Sequence, residues 1–176
     1  MWKHTRLGTC PLSISLESGL DYSTNRQPAS DLFLQVLISF SSRWCCIAFT
    51  ISVAIMKSLS HLTENDVPML QDIMIVRENP VPLGAVHPIP NTRQRAAFGI
   101  FRGPKISSFY VSRPGFGRMA ELPLRWSQLT ALSLLFYEDN SVLTGLTSKR
   151  ALEILSRCPQ LRMCSLSIYD DNSTQL

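Results

Sequence analysis

The sequence predicts an α/β fold in which parallel strands alternate with helices along a repeat array. Three observations predict it. One short strand pattern recurs along the chain, the copies are spaced irregularly by 23 to 36 residues, and apolar residues fall at helical spacing between them.

The strand pattern reads Pro/Ser-x-φ-x-x-φ-x-φ, where φ is apolar. Clean copies run Pro68, Leu70, Ile73, Ile75; then Pro104, Ile106, Phe109, Val111; then Ser127, Leu129, Leu132, Leu134; and then Pro159, Leu161, Cys164, Leu166. Trp44, Ile47 and Phe49 fit the same frame, and Ile14 and Leu16 read as a frayed first copy. The terminal φ-x-φ alternates with the period of two that a strand buried on one face requires. The leading φ enters the same core as the chain swings into the strand. A proline before it cannot extend a helix and sets an extended approach.

From Trp44 through Leu70, Ile106 and Leu129 to Leu161, the leading φ positions are 26, 36, 23 and 32 residues apart. Two-residue hairpins cannot produce such spacings, whereas strand–loop–helix units of a solenoid can. Residues 147–158 are the clearest helix: Thr147 or Ser148 serves as N-cap, Ala151, Leu152, Ile154, Leu155 and Cys158 form one stripe, and Pro159 ends it. Helices are also expected from Ser30/Asp31 to Phe40, from Val53 to Leu62 and from Asn91 to Phe101, with loops over Val76–Pro90 and Ser112–Ala120. Strand, helix and strand in one direction give parallel strands joined by crossovers, and stacking of neighbouring units carries the stability. The domain organisation expected is a tail over residues 1–10, about five units over 11–168 and a tail over 169–176.

Residues Leu122 to Leu134 and Leu146 to Leu161, with Ser42–Trp44 and Ser58–Pro68, resemble the repeats of fungal F-box/leucine-rich-repeat proteins. The resemblance spans about Cys10 to Ile168. It implies a protein-interaction module of the kind that presents substrates to a cullin–RING ubiquitin ligase. The partner expected is an unknown protein substrate. Docking on the Skp1-type adaptor requires an F-box, which is not found before the first repeat and would have to be supplied upstream. The alternatives are a truncated repeat fragment without adaptor binding or defined function, and a nucleic-acid-binding repeat protein. In a leucine-rich-repeat array the non-φ strand positions face outward on one sheet. This makes Asp72, Met74, Ser108, Tyr110, Ala131, Ser133, Met163 and Ser165 the candidate partner-binding residues.

Composition agrees with a packed domain: of 176 residues, 45% are hydrophobic and only 17% charged, which excludes wholesale disorder. The net charge of +4 is too mild to demand a nucleic-acid partner. Arg93 to Arg125 does interleave basic residues with Phe98, Phe101, Phe109, Tyr110 and Phe116, but core aromatics with a solvated arginine rim account for that segment. Five irregularly spaced cysteines do not form a secreted disulfide framework, and no secretory leader is evident, so cytosol or nucleus is expected. The apolar run Leu32 to Met56 is divided by Arg43, so a buried helix followed by a buried strand is expected rather than a membrane span.

Signals for chemistry are weak. His61 and Glu64 share a helical turn but lack a third ligand, and Cys158 and Cys164 match no zinc spacing. Gly115-Phe-Gly117 lacks the strand–helix context of a dinucleotide site and reads as a turn. Asn172-Ser-Thr174 is a glycosylation sequon that has meaning only in the secretory pathway. Neither an enzyme nor a cofactor or metal is expected.

Overall fold

A computed structural model describes residues 10–17, 27–51, 59–77, 99–112, 119–136 and 146–169. Its strands are β1 (Leu12–Glu17), β2 (Trp44–Ile51), β3 (Asp72–Arg77), β4 (Ser108–Ser112), β5 (Ala131–Leu135), β6 (Leu146–Thr147), β7 (Met163–Leu166) and β8 (Ile168–Tyr169). Two α-helices accompany them: α1 (Gln27–Ile38) and α2 (Ser148–Ser156). The fold is mixed α/β. Six strands form one sheet in the order β1-β2-β3-β4-β5-β7, every neighbour parallel, and β6 and β8 pair separately.

The five copies from Trp44 onward enter the sheet through the same turn. The leading apolar residue donates its N–H to the carbonyl three residues earlier: Trp44 to Ser41, Leu70 to Val67, Ile106 to Gly103, Leu129 to Trp126 and Leu161 to Cys158. Pro68, Pro104 and Pro159 occupy the second position of these turns, where a fixed φ near −65° is favourable and no N–H is needed. The prolines therefore act by shaping a turn rather than by extending the approach. Ser42 and Ser127 hold the same position within 3-10 turns at Ser41–Arg43 and Trp126–Gln128.

The following residue begins strand pairing. Gln71 N–H donates to Cys45 O at 2.8 Å, Ser107 to Gln71 at 2.9 Å, Thr130 to Ser107 at 2.8 Å and Arg162 to Thr130 at 2.8 Å. Turn and ladder together set one register across the sheet. Ile14, Ile47, Ile73, Phe109, Leu132 and Cys164 form one inner row; Leu16, Phe49, Ile75, Val111, Leu134 and Leu166 form the next. In the four central strands these side chains are buried, as are the leading residues Trp44, Leu70, Ile106 and Leu129. Edge-to-face ring pairs join Trp44 to Phe49 within β2 and Phe109 of β4 to Phe101 of the preceding connection. A shift between Leu12 and Ser13 lets Leu12 face Trp44 while keeping Ile14 opposite Ile47.

The connections depart from the expected helices. Among the described connections α1, α2 and Leu59, which lies within the helix expected over Val53–Leu62, are α-helical; 3-10 turns occur at Glu64–Asp66, Gly99–Arg102 and Met119–Glu121. The C-terminal part of the helix expected over Asn91–Phe101 is such a turn, and its residues 91–98 lie outside the described set, as do 53–58 of the helix expected at Val53. A glycine suits that turn's start, because a Cβ on Gly99 would lie 2.6 Å from the Leu62 carbonyl oxygen. Val76, Arg77 and Ser112, expected in loops, belong to strands, since ladder bonds outlast the apolar alternation. Helix α1 starts earlier than expected, with Pro28 in its first turn, where its missing N–H costs nothing. Helix α2 lies where expected and Thr147 caps it, its side chain accepting the Arg150 N–H; of the expected stripe Ala151, Ile154 and Cys158 are buried and Leu155 is half-buried, but Leu152 is exposed. The first copy is a full six-residue strand rather than a frayed one, because β2 pairs along its whole length.

Truncating an inner-row residue should separate from truncating a helix surface residue. Leu134→Ala, at a position fully shielded from solvent, is expected to lower unfolding free energy by about 2–5 kcal/mol in a urea titration. Leu152→Ala, at a position 68% exposed on α2, should change it by less than about 0.5 kcal/mol.

Candidate functional site

The side of the sheet opposite the inner rows carries two outer rows. Ser13, Cys46, Asp72, Ser108, Ala131 and Met163 form one; Ser15, Ala48, Met74, Tyr110, Ser133 and Ser165 form the other. All eight residues expected on this face lie on it, four to a row and directly paired across neighbouring strands. None is buried: Met74, Met163 and Ser165 are exposed and the other five are half-buried. The sheet thereby assembles residues that are far apart in sequence. A third level, formed by Val76, Ser112 and Leu135, is more covered, with Ser112 buried.

Four positions from β1 and β2 extend the rows beyond the eight: Ser13, Ser15, Cys46 and Ala48. The same alternation in Trp44–Phe49 and Ile14–Leu16 places them there. Applied to those two copies, the pattern would have found them.

Chemically this face is small-residue, hydroxyl-rich and nearly uncharged. Asp72 is the sole charged residue of the twelve in the two rows. Its Oδ2 accepts from the Cys46 thiol at 3.1 Å. That hydrogen bond to a carboxylate, reinforced by burial, pushes the Cys46 thiol up from 9.0 to about 11. A thiol held protonated is a poor nucleophile, so this cysteine–carboxylate pair is not arranged for attack. Cys158, which is buried, is likewise raised, foremost by desolvation, and partial desolvation also raises Cys164 although it is exposed overall. No cluster of three or more metal-ligating side chains occurs among the described residues, and His61 and Glu64 do not bring in a third. Glu64 instead meets Arg125 at 3.4 Å. Asp66, one turn on, accepts the backbone N–H of Thr63 at 2.8 Å, which with the Thr63 hydroxyl holds its carboxyl below the ordinary range. This pair caps a 3-10 turn and has a structural role.

Of the Arg93–Arg125 segment, Phe101 and Phe109 are core residues, Arg102 and Lys105 are exposed, and residues 91–98 and 113–118 lie outside the described set. Among the described residues no helix is long and apolar enough to cross a membrane. Comparison with protein-family models, curated proteins and solved structures returns no match.

The Cys46–Asp72 pair is testable in solution. The fold favours the protonated thiol, so its stabilising contribution is full below pH 9 and is lost as pH rises through about 11. Iodoacetamide at pH 8.5 should modify Cys46 more slowly than the exposed Cys10, read by peptide mass spectrometry. Asp72→Asn should speed Cys46 modification severalfold by removing the carboxylate, and an unchanged rate would contradict the assignment.

Proposed function

We propose that this chain is a protein-interaction module whose outer sheet face binds a protein partner. The observation that carries this reading is the pair of unbroken outer rows, running across six parallel strands with none of their twelve residues buried. Large side chains (Met74, Tyr110 and Met163) project between Ser108, Ala131, Ser133 and Ser165, whose small side chains let a partner approach the backbone closely. Tyrosine and methionine are favoured at binding surfaces, giving large contact area with few fixed polar demands. The hydroxyls supply hydrogen bonds, and a nearly neutral face limits the desolvation cost of association.

In this reading the strand–turn units are stacked as a leucine-rich-repeat-like solenoid. The resemblance to fungal F-box/leucine-rich-repeat proteins supports reading the module as the substrate-recognition arm of a cullin–RING ubiquitin ligase subunit, in cytosol or nucleus. Adaptor capture then belongs to an F-box supplied upstream, and the repeats themselves work by binding rather than catalysis.

A photo-crosslinking amino acid replacing Tyr110 or Met74 should trap the same partner in cells, whereas one replacing Leu152, exposed on α2, should not. Tyr110→Glu combined with Met74→Lys should weaken capture about tenfold or more while leaving the circular dichroism spectrum unchanged. Equal trapping from Leu152, or full capture by the double variant, would exclude the outer face as the binding surface.

A further inference from the structure

The two ends of the six-stranded sheet lack a further paired strand among the described residues. Among the described residues β1 pairs only with β2, and β7 only with β5, so each keeps one edge of unpaired N–H and C=O groups. The inner rows, buried across the four central strands, also open at these ends. Ile14, Leu16 and Leu166 are half-buried and Cys164 is exposed. Charge and proline, two common means of blocking further pairing, are nearly absent from both edge strands, although β1 bears the shift at Leu12/Ser13 and β7 is only four residues long. Strand β7 (Met-Cys-Ser-Leu) has no charge or proline, and β1 has a charge only at its last residue, Glu17. Exposed large apolar side chains gather at the same ends. Of the eight among the described residues, Met74 alone sits on a central strand; the rest belong to α1 and the turn after it, α2, β7 or β8.

Because every pairing is parallel and strand order follows chain order, the free edges of β1 and β7 look in opposite directions along the sheet. Displacing a second copy along that direction brings its β1 beside β7 of the first, as one more parallel pair. The register of the existing pairs, carried forward, sets Cys164 beside Ile14 and Leu166 beside Leu16 on the inner side. Met163 then meets Ser13, and Ser165 meets Ser15, on the outer side. Apolar positions meet apolar ones, and no like charges are opposed.

We propose that this chain associates head to tail with further copies of itself, β7 of one copy pairing in parallel with β1 of the next. The contact joins two different surfaces, so it repeats without closing and yields a series of species rather than one dimer. A two-fold dimer through β7 alone would be antiparallel and would leave the β1 edge and its half-open rows unsatisfied.

Light scattering of the full chain over a dilution series tests this. The average mass should climb from the single-chain 19.8 kDa past twice that value with no plateau. Cys164→Lys, at an exposed position, should hold the chain at the single-chain mass. Ile14→Lys should do the same alone, and an equimolar mixture of the two variants should give a one-to-one pair and nothing larger. A wild-type chain that stays at single-chain mass overturns the proposal, as does an Ile14→Lys variant that still dimerises. Should Ile14→Lys fail to fold, a short bis-maleimide on Ser13→Cys, also an exposed position, supplies the decision. Crosslinks joining position 13 of one copy to Cys164 of another support the head-to-tail contact, and crosslinks between two Cys164 thiols overturn it.

Discussion

The whole sheet depends on one small unit, a turn that closes on a buried apolar residue and hands the next N–H to the neighbouring strand. The turn fixes where each strand begins, and the ladder from Cys45 through Gln71, Ser107 and Thr130 to Arg162 fixes each strand against the last. A slip of one residue at any junction would invert both faces of that strand, because side chains alternate with a period of two. Burial makes such a slip costly. It would expose Ile73 or Phe109 and bury Asp72 or Ser108, so turn geometry and the hydrophobic effect select the same register.

Two consequences follow from one register carried through five strand pairings. The inner rows become a continuous apolar strip in which each strand is covered by its neighbours, so the strip is driest in the middle and opens at β1 and β7. The outer rows become an equally continuous surface whose composition is free of core demands. Small hydroxyl residues with a few large projecting ones can accumulate there. The same geometry therefore generates both the outer face proposed for a partner and the two sheet ends proposed for further strands, and Met163 and Ser165 of β7 belong to both.

Much of the sheet is legible in the sequence, because alternation and turn residues are local signals. Leu70-x-x-Ile73-x-Ile75 needs no distant information to be read as a half-buried strand, whereas the turn at Pro68, read from the sequence as an extended approach, emerges only in the structure. The eight outer positions follow from it by parity, and Thr147 with the stripe Ala151, Ile154 and Cys158 marks α2 in the same way. The connections are less legible. Gly99–Arg102 and Met119–Glu121 bury Ile100, Phe101 and Met119 in single 3-10 turns, and a few apolar residues in a short stretch cannot be told from a helix by periodicity. Strand ends at Val76, Arg77 and Ser112 are set by ladder bonds to neighbours rather than by their own side chains. The Cys46–Asp72 hydrogen bond joins residues 26 positions apart and becomes visible only once β2 and β3 are in register.

The central claim is that register places two chemically different faces on one parallel sheet, and single-cysteine accessibility across β4 and β5 tests it most directly. Cysteines placed one at a time from 108 to 111 and from 131 to 134 should be labelled by a small maleimide at 108, 110, 131 and 133. They should be protected at 109, 111, 132 and 134, where the native residues are buried. Labelling that does not alternate, or that alternates in the opposite phase on either strand, would contradict the account.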